Sequence, residues 1–206
     1  MALLSEGADA QRVAERVAAA ERRSAGEIVV AVARRSAEYG RERAWFTLVL
    51  TLCAALAAYR FVPQLPEVWL LCAQAPFALA AWWLSGWSGV LRQLVPRAVQ
   101  HGAVHARAEQ LFLELGVTET RERSGVLLLL SEAEHRVELL ADRGIHERMG
   151  SEVWQALVQA VTRAIREGRP ADGVCVAVDA IGDALAQHFP RAADDTNELP
   201  DAVQRV

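Results

Sequence analysis

The sequence predicts an α/β protein interrupted by a two-helix membrane hairpin. Three observations lead there. Two short β-branched or leucine-rich runs, EIVVAVA at 27–33 and VLLLLS at 126–131, have the length and continuous apolarity of strands buried on both faces. Helical-period segments flank them. Between them, the stretch from Trp45 to Leu91 carries one acidic residue, Glu67, and one basic residue, Arg60.

In chain order, residues 9–23 read as a helix with Asp9 as N-cap and Val13, Val17 and Ala20 on one face. Gly26 then precedes the strand 27–33. A helix at 96–115 offers Val104, Ala108, Leu111, Phe112 and Leu115 to a core, and Gly116 ends it. The polar loop 118–125 leads into the strand 126–131. Residues 132–135 make a turn, and RVELLAD at 136–142 alternates as a third strand. Helices at 151–168 and from Pro170 to about Phe189 follow, the second with Val174, Val178, Ile181 and Leu185 inward. The tail, 191–206, contains DDTNELPD and reads as exposed and partly disordered. The strand 27–33 needs partners for its backbone groups, and the nearest candidates lie beyond the hairpin. The chain therefore divides into 1–43 and 92–190, two parts of one α/β domain with helices on both sheet faces, an inserted hairpin at 44–91, and the tail.

The hairpin is AWFTLVLTLCAALAAYRFV at 44–62 and VWLLCAQAPFALAAWWLSGWSGVL at 68–91. A helix crosses the hydrocarbon core in about 20 apolar residues, and neither segment has the charged face of a soluble helix. Arg60 lies close enough to an end to snorkel; Pro76 is tolerable inside a membrane helix. Trp45 and Trp87 fall toward one interface and Trp69 toward the other. The intervening PQLPE leaves room for a tight turn only. Arg34, Arg35, Arg41 and Arg43 precede the hairpin and Arg92, Arg97 and Arg107 follow it, which by the positive-inside rule places both termini in the cytoplasm of a multi-pass inner-membrane protein. The N-terminus has neither the basic start nor the apolar run of a signal peptide.

Every one of the 22 basic residues is Arg, and the net charge is −4, which disfavours nucleic acid as a partner. Cys53, Cys72 and Cys175 form no CxxC pair, so neither a zinc site nor a disulfide framework is indicated. His101, His105 and Glu109 recur at fourfold spacing on one helix face, a pattern that suits a metal ion and equally the polar face of an amphipathic helix. Asp194, Asp195, Asn197 and Glu198 lack the spacing of an EF-hand loop. The best polar cluster is Asp142 with Arg143, Gly144 and His146 at the end of the third strand, near Arg121 and Arg123 before the second strand and Glu27 at the start of the first. No phosphate-binding glycine loop, HExxH or GxSxG motif is present, so no nucleophile is identified.

ERRSAGEIVVAVARRS followed by GVTETRERSGVLLLLSEAEHRVELLADRGIHERMG resembles the TPM domain family, in the bacterial branch with a membrane hairpin after the first strand. The resemblance covers about residues 10–42 and 95–190. It implies a three-layer α/β/α sandwich with a small mixed sheet. It also implies calcium or magnesium as the cofactor, which makes Glu27 and Asp142 the candidate metal ligands and Arg121 and Arg123 the candidate ligand-binding side chains. Some relatives are acid phosphatases and others assemble or repair membrane complexes. The expected function is a membrane-anchored accessory or regulatory module that binds a protein partner or a divalent cation; the alternative is a metal-dependent acid phosphatase acting on phosphate esters. The expected partners are the lipid bilayer and a membrane protein.

Overall fold

The computed structural model describes residue 4, residues 7–64, 66–148, 169–191 and 197–206, and isolated residues between 151 and 168. The expected helix at 151–168 and the acidic pair Asp194 and Asp195 lie outside the described residues. The chain divides into two compact units, 37–100 and the rest.

In the larger unit, the sheet among the described residues has four strands: β1 (Glu27–Ala33), β2 (Gly125–Ser131), β3 (Arg136–Ala141) and β4 (Gln204–Arg205), in the order β3-β2-β1-β4. β1 is parallel to β2, with Glu27 opposite Gly125 and Ala33 opposite Ser131; β2 is antiparallel to β3, with Val126 opposite Ala141. The sheet is therefore mixed. All seven residues of β1 and of β2 are buried, as continuous apolar strands covered on both faces should be.

Alternation along the strands sorts the core into two layers. Ile28, Val30, Val32, Val126, Leu128 and Leu130 pack with Val13 and Val17 of α1 (Ala8–Glu21) and with a helix at Pro170–His188 that supplies Val174, Val178, Ile181 and Leu185. The opposite face, Val29, Ala31, Leu127 and Leu129, packs on Val104, Ala108, Leu111 and Phe112 of a helix at Arg97–Glu114, and on Val117. The result is the three-layer α/β/α sandwich. Arg12–Asp172 at 2.7 Å, Arg16–Asp179 at 2.9 Å and Arg23–Asp183 at 2.5 Å run along the outside of the first layer. They are half-exposed and set helix register more than stability.

The smaller unit contains α2 (Gly40–Phe61), α3 (Glu67–Ser85) and α4 (Ser88–Leu94); in chain order Arg97–Glu114 is then α5, Arg143–Arg148 α6 and Pro170–His188 α7. α2 and α3 are long and apolar enough to cross a membrane, and their most apolar windows are 0% and 11% buried. Two expectations change here. α2 starts four residues earlier than 44. The second segment is two helices, because the chain turns at Gly86 and Trp87. Arg43 holds that turn: Nε donates to Ser85 Oγ at 3.2 Å, Nη2 donates to the Trp82 carbonyl at 3.0 Å, and the guanidinium lies 4.4 Å from the Trp82 ring centre. The helix-end carbonyl is thus satisfied and α3 stops. Pro76 sits within α3 without ending it.

Two smaller expectations also change. The N-cap of α1 is Gly7, not Asp9, and makes no side-chain cap. Residues 143–148, placed at the end of the third strand, form a short helix. The tail is not free: residues 197–206 run along β1, where Gln204 and Arg205 pair with Ala31 and Val32. Two of its apolar side chains explain this, since Leu199 packs on the α5-side core and Val203 on the α1-side core.

Candidate functional site

The sequence-derived candidates gather at one end of the sheet, where β1 and β2 begin and β3 ends. Asp142 N–H bonds the Gly125 carbonyl at 2.9 Å, and Glu27 pairs with Gly125, so Glu27, Gly125 and Asp142 form one row across three strands. By alternation both carboxylates belong to the α5-side face. They are two strand spacings apart, about 9–10 Å between backbones. Gly125 between them is covered by the backbone of Val117; a Cβ at Gly125 would overlap the Val117 carbonyl and reach its side chain at 2.6 Å. Val117 therefore stands between the two acids.

Each acid has its own neighbours. Glu27 is buried, and its carboxylate accepts the Glu198 N–H at 3.0 Å and the Leu199 N–H at 3.3 Å. The Glu198 carboxylate in turn accepts the Arg121 N–H at 2.9 Å. Glu27 thus fastens the tail, and the tail fastens the Arg121 loop. Asp142 is 8% exposed, and its Oδ1 accepts the Arg143 N–H at 2.6 Å. Its Oδ2 is buried with no hydrogen-bond donor, and Arg123 Nη1 is 3.9 Å away. Such an oxygen costs free energy until a donor reaches it.

The loop carrying the two arginines is well fixed. Ser124 N–H donates to Thr120 Oγ1 at 3.1 Å, and Ser124 Oγ donates to the Ala25 carbonyl at 2.9 Å. Arg123 has a positive φ of 53°, a conformation that non-glycine residues adopt at a cost. Gly144 makes this fit possible, since a Cβ there would lie 2.7 Å from the Arg123 carbonyl and 2.9 Å from that of Glu122. The outcome is an exposed Arg121–Arg123 edge beside one buried, unmatched carboxylate oxygen. It can receive an N–H or O–H donor while the guanidinium groups receive an anion. The side chain of His146 lies outside the described residues.

Glu27 and Asp142, the two candidate metal ligands, have separate surroundings in this arrangement. Val117 separates them, and both Glu27 oxygens already accept backbone donors. Among the described residues no three His, Cys, Asp or Glu side chains converge as metal ligands. His105 does not join His101 in a metal pair. Its Nδ1 lies 2.8 Å from Glu138 on β3 and its Nε2 3.4 Å from Glu109, while His101 is exposed. Glu138 foremost, and then Glu109, raise the His105 pKa.

Sequence reading missed a polar cluster at the opposite end of the sheet. The fully buried Ser131 donates its hydroxyl to the buried Glu134. Ser36 N–H donates to the same carboxylate at 3.2 Å, and the Ser36 and Ser131 hydroxyls are 2.7 Å apart. With Ser131 closed to solvent, this is a tie that fixes the chain leaving β1, not a nucleophile. Ser36 lies about a hundred residues before Ser131 and Glu134, so no local motif marks the full cluster.

This architecture, a small mixed sheet between helical layers with a site at the strand ends, defines an α/β/α sandwich protein. Residues 93–184 match the model of the TPM domain. The match begins after the hairpin. The structure is also similar to that of the BA42 protein from the psychrophilic bacterium Bizionia argentinensis, determined by NMR, with a TM-score of 0.61 and 17% identity over 96% of this chain and 92% of that one. That likeness concerns the fold. No curated protein matches the sequence.

Proposed function

We propose that this chain is a membrane-anchored TPM-domain protein whose α/β unit is an accessory module for a protein partner. The observation that carries the reading is the pair of long apolar helices with essentially no burial in their own unit. Helices of that kind need either lipid or a large apolar partner. The hairpin crosses the inner membrane with both flanks cytoplasmic. The Arg121–Arg123 edge with the Asp142 oxygen is the binding surface, because there a buried oxygen without a hydrogen-bond donor lies beside exposed guanidinium groups.

Hydroxyl chemistry has little support. Ser131, the hydroxyl paired with a carboxylate, is sealed in the core. Cation binding, if it accompanies partner binding, involves Asp142 without Glu27. The test uses the full chain in native membranes. A photoreactive side chain at Arg123 should capture a protein that it no longer captures when Asp142→Asn is added. Turnover of a generic phosphate ester by the purified chain with calcium or magnesium, lost in Asp142→Asn, would instead establish the phosphatase.

A further inference from the structure

We propose that the outer edge of β1 is an acceptor for an extended, basic segment of a partner protein, and that residues 197–206 are its resident placeholder. An exposed strand edge is a template for another strand, and proteins cover such edges or use them for recognition. Here the cover is thin. β4 pairs only two residues with β1, at Ala31–Gln204 and Val32–Arg205, and Val206 N–H adds one bond to the Val32 carbonyl at 3.1 Å. Nearer the start of β1, side chains stand in for a strand: Ile28 N–H donates to Glu21 Oε1 at 2.9 Å, and Glu27 takes the N–H groups of Glu198 and Leu199.

The placeholder also mismatches the edge in charge. It brings Asp201 into side-chain hydrogen-bond reach of Glu21, on which Glu27 also acts, and no cation is among the groups that act on Glu21. Glu21 is 8% exposed, and its Oε1 accepts the Ile28 N–H. Burial first, and the two neighbouring acids after it, push its pKa up to about 9, so it stays protonated to accommodate the tail. A segment with Arg or Lys in place of Asp201 would let Glu21 ionise and pair. Its other requirements are those the tail displays: backbone N–H groups for Glu27, and apolar residues at the positions of Leu199 and Val203.

This goes beyond the binding-module reading and stands apart from it: a partner captured at Arg123 by a chain that shows no preference at the β1 edge would leave that reading intact. The test has two arms, both on the full chain in detergent micelles. In the first, Asp201→Arg should slow amide exchange at Leu199 and Val206 by about tenfold, the scale of one favourable partly buried charge pair, with Asp201→Asn falling between. In the second, the chain carries Leu199→Ala and Val203→Ala, which loosen its own tail. A peptide of residues 197–206 with Asp201 replaced by Arg should bind at least about tenfold more tightly than the unaltered peptide. Glu21→Gln should abolish that preference. Faster exchange in Asp201→Arg, equal affinity of the two peptides, or binding of neither overturns the proposal.

Discussion

Replacing Glu21 by Gln should change how the stability of this protein depends on pH. Glu21 closes α1, and its side chain turns inward to serve Ile28 N–H at 2.9 Å. Burial is the largest influence on its carboxyl, followed by the opposing backbone bond and then by Glu27 and Asp201; the pKa rises from 4.5 to about 9. The folded state therefore holds a proton that the unfolded state releases near 4.5. The contribution to stability is complete below about pH 4.5, declines as pH rises, and levels off above about 9. At 1.36 kcal/mol per pK unit, the 2.5 units between 4.5 and 7 correspond to about 3 kcal/mol lost by neutral pH. Gln is neutral at every pH and keeps the acceptor for Ile28. The variant should match the wild type near pH 4.5 and exceed it by up to about 3 kcal/mol at pH 7. Urea unfolding of the full chain in micelles, followed by circular dichroism from pH 5 to 9, measures this. Two parallel pH profiles would refute the reasoning.

Other perturbations reach different parts of the structure. The raised His105 pKa makes its bridge to Glu138 most stabilising below the ordinary imidazole value of 6.5 and weaker as pH rises through the folded value, so His105→Gln should lower the melting temperature more at pH 6 than at pH 8. Gly125→Ala forces a methyl group into the Val117 backbone and should destabilise by about 3 kcal/mol, read by denaturant midpoint. Ser131→Ala leaves the buried Glu134 without a donor and should cost about 1–3 kcal/mol by the same measurement. Arg43→Met removes the clasp on the Trp82 carbonyl, and α3 and α4 should separate, seen as a longer spin-label distance between Cys72 and a cysteine placed at Gln93.

Much of this was legible in the sequence because it depends on local pattern. The apolar runs at 27–33 and 126–131 are strands because six or seven consecutive buried residues suit a strand covered on both faces. The two long apolar helices were legible because length and absence of charge mark them. That Asp142 and the Arg121–Arg123 loop lie together at one end of the sheet was legible because strand ends and polar loops are marked locally. What lies between Glu27 and Asp142 is carried by no spacing: Val117 returns over Gly125, the residue between them in the row. The role of the tail was hidden for a related reason. DDTNELPD looks solvated, and its docking depends on Leu199 and Val203 meeting cores assembled from distant strands. The turn at Gly86 was invisible because the group that fixes it, Arg43, lies some forty residues earlier.

The central claim is that residues 40–85 form a hairpin across a bilayer with the α/β unit wholly on one side. Thiol labelling tests it directly. With Cys53, Cys72 and Cys175 replaced by Ser, one cysteine is placed at Gln64 in the exposed inter-helix turn, or at Glu122 in the exposed loop before β2. In intact spheroplasts a membrane-impermeant maleimide should label the Gln64 position at once and the Glu122 position only after permeabilisation. Equal labelling of both positions in intact cells, or release of the protein by alkaline carbonate, would contradict the account.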